Sequence, residues 1–506
     1  STHSLSVASV ARNPLTVAGT APDSHRIPIT CFPIYVAISM LPRYPGLAVA
    51  SSGFERPRGD RRPAENVVEE TLMDAATRSL AQKRFRIFWI LNAIPVAFFL
   101  EDILILYGIR NGLPEPALAA LASFVHLTMP FMLLGRVFTA RRGLVGGWIT
   151  SYRIRYTAVL VLIAAPFVSD QALRTVVVLA GGFVFAVFRA AGVINMHALN
   201  GEITSDADRG RYLHLNFALF NGAYMIAVSL TIAATRVFDS TWIYQVMVGA
   251  GSAVGFLSLL PLRTVPESGE GQAAAREPFF RMLSQVKKEV DLWRLIPAWA
   301  GGLMAIALVV PFAVLLVKNG YGIDDWTALF FTLVSLIGSV ASGLLNRRLA
   351  ERVKPHTIVL VYTTLLVSVA AAWFLAPERF ILPHVALLFF LTGVAKAGII
   401  VGLQHYLISE NRPEHRMHVS LMAELTGAAI AGLSGTVIGG GLLQFFGSRV
   451  TGLEVYRRYF LVVVAILLVA LFFVQRLRKP VTRPAAATPR VPPETPPPVR
   501  RQTPRR

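Results

Sequence analysis

The chain has 506 residues and a formal net charge of +20, yet only 15% of its residues are charged and 54% are hydrophobic. A soluble chain of this length needs far more charge to cover its surface, so these proportions exclude an ordinary globular enzyme and call for lipid as solvent. The basic residues sit in short loops and in both tails rather than on one domain face, which argues against nucleic acid, and the single cysteine, Cys31, excludes intramolecular disulfides and multi-cysteine metal sites.

Residues 1 to about 64 are rich in Ser, Pro and Gly, and the apolar stretch from Ile27 to Ala50 is broken by Pro28, Pro33, Pro42 and Pro45. The charged start, unbroken apolar core and cleavage site of a signal peptide are not well formed. Residues 1–84 are therefore expected as a disordered, polar leader (or an over-extended reading frame) that ends in a polar helix over 65–84. Twelve apolar segments follow, at roughly 85–108, 116–135, 149–168, 174–197, 212–235, 241–262, 295–317, 326–345, 356–376, 381–408, 418–446 and 456–475. Each is near the ~20 residues that cross a bilayer core. The third carries Arg153 and Arg155 in its first turns, and these must snorkel or face protein. Basic clusters such as Arg141–Arg142, Arg209–Arg211, Arg347–Arg348 and Arg412–Arg416 fall on one side of the spans, and the other side holds mostly one basic residue per loop. The positive-inside rule, with an even number of spans, places both termini in the cytoplasm. A bacterial inner membrane is the expected location.

Residues 264–294 separate two six-span bundles, 85–263 and 295–476. The first part, PESGEGQAAARE, is expected to be a flexible linker. The second, PFFRMLSQVKKEVDLW, sets Phe279, Phe280, Leu283, Val286 and Val290 near helical spacing, with Arg281, Lys287 and Lys288 on other faces. That is a helix lying along the cytoplasmic headgroups or an amphipathic helix packed on protein. The tail, 477–506, is rich in Pro and Arg and is expected to be disordered and to touch anionic lipid.

A shift of 208 positions carries His197 onto His405 and Glu202 onto Glu410, and brings Arg189 beside Lys396 and Arg209 beside Arg416. The same shift takes Arg86 to Arg294, Arg110-Asn111-Gly112 to Lys318-Asn319-Gly320, and Gly135 to Gly343. Several matches at equivalent breaks between apolar runs indicate an internal duplication. Paired repeats in a membrane are the architecture of transporters, with the solute site between them.

Two six-span halves, a long central loop and basic loops after the second and eighth spans resemble the major facilitator superfamily of secondary transporters, over residues 85–476. That superfamily carries G-x-x-x-D-R-x-G-R-R after its second span. Here GRVFTARRG keeps Gly135, has Thr139 in place of the acid, and sets Arg141 and Arg142 out of register. The second copy, GLLNRRLAERVK, keeps Gly343, Arg348 and Arg352, with Arg347 in place of the acid. Arg189 to Gly192 is one residue short of the superfamily's R-x-x-x-G, and DADRGR resembles its acidic-Arg-Gly-Arg loop. The resemblance implies an all-α polytopic membrane protein, with twelve transmembrane helices as two six-helix repeats around a central cavity lined by spans 1, 4, 7 and 10. It implies no enzyme activity and no cofactor.

An ionisable side chain inside a bilayer is costly unless paired, hydrated or neutralised, so each one needs a reason. Glu101 and Asp102 lie about 22 Å along the first span from Arg86, at ~1.5 Å per residue. They are either a proton site or acids hydrated or paired at the mouth. Arg189 and Lys396, in the fourth and tenth spans, are candidate solute or coupling contacts, against a packing salt bridge within each half. Lys396, set in GVAKAGII, has no local partner. Glu424, in the eleventh span, is either a second protonation site or, the favoured reading, a residue that closes the cytoplasmic ends by pairing with Arg416 or a loop arginine, and Arg141, Arg142, Arg348 and Arg352 are the other gate candidates. His126, His197 and His405 are expected as packing residues. Glycines crowd the sixth and eleventh spans, as close helix packing requires.

These features predict secondary active transport of a small solute by alternating access, with the lipid bilayer as surroundings, protons as a candidate coupling ion and a monomer as the expected state. Efflux and anion uptake both stay open. The alternatives are a non-transporting receptor or scaffold on the same fold and an uncoupled facilitator. A membrane enzyme would need catalytic residues converging on loops, and these loops are short and carry chiefly Arg.

Overall fold

The computed structural model describes residues 73–99, 102–238, 240–323 and 325–478. Its elements are helices. Span 1 is α1 (Ala75–Phe99) continued by α2 (Asp102–Arg110). Then come α3 (Glu115–Leu127), α4 (Met132–Leu160), α5 (Gln171–Val193), α6 (Asn195–Ile203), α7 (Arg209–Val237) and α8 (Trp242–Arg263). Two linker helices, α9 (Glu270–Arg276) and α10 (Phe279–Glu289), lead to the second half. That half contains α11 (Leu292–Leu315), α12 (Asp325–Leu349), α13 (Pro355–Phe374), α14 (Leu382–Glu410), α15 (Pro413–Leu433), α16 (Gly440–Gly447) and α17 (Leu453–Gln475). Residues 1–72 of the predicted leader (1–84) and 479–506 of the predicted tail (477–506) lie outside the described residues.

Among the described residues, 11 helical stretches are long and apolar enough to cross a membrane. One of them, Ser123–Phe167, is 45 residues long and holds two passes. The chain reverses inside α4 at Gly143, where φ is 80° and ψ is 178°. That φ is unfavourable for any residue with a β-carbon. Across the reversal, a β-carbon on Gly147 would lie 2.8 Å from Thr139 Oγ1, and Arg142 Nη1 donates to Thr150 Oγ1 at 2.7 Å. In a straight helix residues eight apart are about 12 Å apart along the axis. The fold therefore has twelve passes, with spans 2 and 3 joined at Gly143.

The two halves repeat their packing. Span 1 packs on spans 5 and 6, span 4 on spans 2 and 3, and span 3 on span 6. In the second half span 7 packs on 11 and 12, span 10 on 8 and 9, and span 9 on 12. Two details recur at residue level. Gly135 meets the Ala191 carbonyl and Gly393 the Ser335 carbonyl so closely that no β-carbon would fit, and Tyr152 lies over Gly192 as Tyr362 lies over Gly398. Small residues at these crossings let two helix backbones touch.

Three segments the sequence left open or read otherwise take definite form. First, α1 starts at Ala75, within the polar helix expected over 65–84, and Asp74 caps it by accepting from Thr77 N at 2.7 Å. Hydrogen bonding from Thr77 holds the Asp74 carboxyl below its usual range. Second, the linker expected to be flexible is anchored. Glu267 accepts from Val145 N at 3.0 Å, Glu202 accepts from Ser268 N at 2.9 Å, and Arg276 Nε donates to Ala140 O at 3.0 Å. Gly271, Ala274 and Ala275 of α9 are buried, the first against Leu144. Third, the two arginines of span 3 part company. Arg153 is exposed, whereas Arg155 is fully buried, 4.2 Å from the Phe185 centroid and 4.7 Å from that of Tyr152. Ring faces, rather than a carboxylate, attract its guanidinium.

Candidate functional site

Twelve passes bring both described ends to one face of the bundle, called here the terminal face. Where the halves meet, span 5 lies along span 8 and span 2 along span 11. The duplication exchanges these two pairs (2 with 8, 5 with 11), so the interface itself has the symmetry of the repeat.

Polar contacts between the halves gather towards the terminal face. His197 of α6 and Glu424 of α15 face each other with Nε2 and Oε1 3.0 Å apart. The His197 side chain is fully buried, and its ring stands edge-on to Trp299 of span 7, with centroids 5.7 Å apart. Closer to the face, Arg209 Nη1 donates to Asp206 Oδ1 at 2.6 Å and to Ser409 Oγ of the other half at 3.3 Å. Gly210 lies against His405 and Ala350, Gly343 against the His214 carbonyl and Ala218, and Gly201 under the Arg416 side chain. His418 Nε2 donates to the Ala274 carbonyl of α9 at 2.9 Å, so the linker helix also bridges spans 3 and 11. Arg211 and Glu351 pair at 3.7 Å with both side chains about half exposed, an arrangement worth little energetically.

Glu424 was expected to pair with Arg416 or a loop arginine, but its partner is His197. Arg416 instead donates to the carbonyls of Ile408 and Asn411. The sequence held a usable signal: a lone carboxylate in an apolar span needs a partner from another span, and His197 is the fourth span's base nearest that depth. Arg141, Arg142, Arg348 and Arg352 are exposed on the terminal face, and Arg142 donates within its own half. Arg189 is half-buried at mid-span and lines a small cleft with Phe99, Leu121, Phe124 and Phe185. Lys396 is half-buried at the middle of α14. Glu101 and the side chain of Asp102 lie outside the described residues. Among the described residues, no group of three or more His, Cys, Asp or Glu side chains could hold a metal ion.

The model of the Major Facilitator Superfamily matches residues 125–423. The chain belongs to the Major Facilitator Superfamily. Its fold is also that of solved members. The E. coli fucose:proton symporter FucP superposes with a TM-score of 0.62 at 13% identity, covering 80% of this chain and 99% of FucP. The human organic anion transporter TETRAN gives 0.57 at 14% identity, over 79% of this chain and 99% of its own. The proton:xylose symporter XylE gives 0.54 at 15% identity, over 78% and 95%. No curated protein sequence matches the chain. Superfamily membership makes the protein a multi-pass membrane protein of a transporter family.

Proposed function

We propose that the protein is a secondary active transporter that moves a small solute by alternating access, and that the structure is its form closed at the cytoplasmic side. The observation that carries this reading is the seam itself, where two span pairs related by the repeat, 5 with 8 and 2 with 11, bring the halves together. Within each half, glycine-mediated backbone contacts such as Gly135 on Ala191 make a unit that resists deformation. Between the halves, Gly210 and Gly343 bring spans 5 and 8 together, and side-chain links such as His197 with Glu424 and Arg209 with Ser409 join the terminal ends. Two stiff bodies joined along one seam are what rocking requires.

The positive-inside rule assigns the terminal face to the cytoplasm. Arg189 and Lys396, at mid-span in opposite halves, are the solute contacts in this reading, and two cations suit an anionic solute. Glu101 and Asp102 are the candidate proton carriers. The names of FucP and XylE as proton symporters and of TETRAN as an organic anion transporter support protons and anions as the first ions and solutes to test.

The test is a cross-link at the seam. Arg211→Cys with Glu351→Cys, in a Cys31→Ser background, sets one accessible cysteine on each half where the native side chains pair at 3.7 Å, within reach of a short bis-methanethiosulfonate reagent. Cross-linking is expected to stop uptake of organic anions by reconstituted vesicles carrying a pH gradient, and reduction to restore it. Undiminished uptake by the cross-linked protein refutes alternating access.

A further inference from the structure

The linker helix α10 has two faces of different character. Val286 and Val290 are fully buried, and Phe279 is half-buried with the Arg136 guanidinium 5.9 Å from its centroid. The opposite face is uncovered. Phe280, Leu283, Ser284 and Lys287, at the i, i+3, i+4 and i+7 spacing of one helical stripe, border a shallow open cleft together with Lys288. Phe280 is 82% exposed, and Trp293, in the first turn of α11, is 88% exposed. They are the two most exposed large apolar side chains among the described residues.

Depth decides what meets these side chains. Span 7 enters the bilayer at α11, so Trp293 stands at headgroup level, where tryptophan is favoured. Helix α10 ends at Glu289 and α11 begins at Leu292, so the connection is too short to carry α10 far from that level. Arg281, Lys287 and Lys288 are all exposed on α10. The nearby Asp291 carboxylate is engaged by Arg294 at 3.0 Å and does not cancel them. An exposed ring beside exposed cations at this depth matches the boundary between phosphates and acyl chains.

We propose that the outer face of α10 is a docking surface for anionic phospholipid. Lys287 and Lys288 take the phosphate, and Phe280 and Trp293 enter the glycerol and upper acyl layer. The surface is separate from the solute pathway and stands whether or not the transport reading holds.

The experiment compares the full chain in nanodiscs of phosphatidylcholine with nanodiscs of equal parts phosphatidylcholine and phosphatidylglycerol, reading amide exchange over 279–293. Exchange is expected to slow several-fold in the anionic discs and to return to its phosphatidylcholine rate in high salt. Lys287→Gln with Lys288→Gln is expected to remove that slowing, because each basic residue near an anionic surface contributes a factor of about 5. Phe280→Ser, which keeps the charges, is expected to weaken it in part. Equal rates in both discs, or slowing that survives the double substitution, overturns the proposal. A photo-crosslinker placed at Ser284 in native membranes separates a lipid from a protein occupant. Phospholipid adducts support the proposal, and a polypeptide adduct overturns it.

Discussion

His197 Nε2 and Glu424 Oε1 lie 3.0 Å apart although 227 residues separate them along the chain, and each belongs to a different half. Every movement that opens the terminal face has to break this contact. Glu424→Ala leaves the buried ring without its partner, a loss of about 1–3 kcal/mol, or roughly 5- to 150-fold in the equilibrium for closure. The reporter is Ala350→Cys in the Cys31→Ser background, because Ala350 is buried against Gly210 of the other half. Alkylation of that cysteine should accelerate by about tenfold or more in Glu424→Ala. Unchanged alkylation would show that the pair does not hold the face shut.

The glycine crossings make the two halves stiff. Gly135→Leu and Gly393→Leu would drive a side chain into the Ala191 and Ser335 carbonyls. Overpacking of this kind costs about 1–3 kcal/mol or more, so both variants should melt several degrees below the parent in detergent. Gly222→Leu is the control, because a β-carbon there meets nothing within 4 Å. Equal melting of all three would remove the packing argument.

Much of this was legible in the sequence, and the reasons are physical. Lipid forces each pass to announce itself as an apolar run, so the twelve spans and the 208-residue repeat could be read directly. Contacts between spans leave no such mark. His197 looked like a packing residue because its partner sits in the other half. The linker looked flexible because its composition is polar and rich in glycine, and only tertiary structure brings Glu202 and Val145 to it. Thr139 replaces the superfamily's loop acid. In space Glu267, from the central linker, supplies a carboxylate at the start of span 3 instead.

That substitution predicts a local effect. Glu267→Gln weakens the acceptor at Val145 N, where the helix resumes after the Gly143 reversal, and Glu267→Ala removes it. A lost helix-start acceptor costs about 1 kcal/mol. Amide exchange over 143–148 should rise about fivefold in Glu267→Ala and less in Glu267→Gln. No change in either variant would mean that the linker merely rests on span 3.

Arg155 is the buried cation the sequence left undecided. Its guanidinium stacks on Phe185 and Tyr152, and its Nε and Nη2 have no hydrogen-bond acceptor. A compact ammonium cannot stack in this way, whereas a thioether chain fills the same space without charge. Arg155→Lys should therefore lower the melting temperature more than Arg155→Met. The reverse order would indicate that a positive charge, rather than stacking, is required there.

If two stiff halves rock about one seam, their separation at the terminal face must change. Spin labels at Lys83 and Lys354, both exposed on the terminal face and in opposite halves, report the separation directly in reconstituted full-length protein with Cys31→Ser. Pulsed dipolar spectroscopy across a range of pH and candidate solutes should resolve a short distance, as in this structure, and a second, longer one whose share Glu424→Ala increases. A single unchanging distance under every condition, in the parent and in the variant alike, would contradict the account.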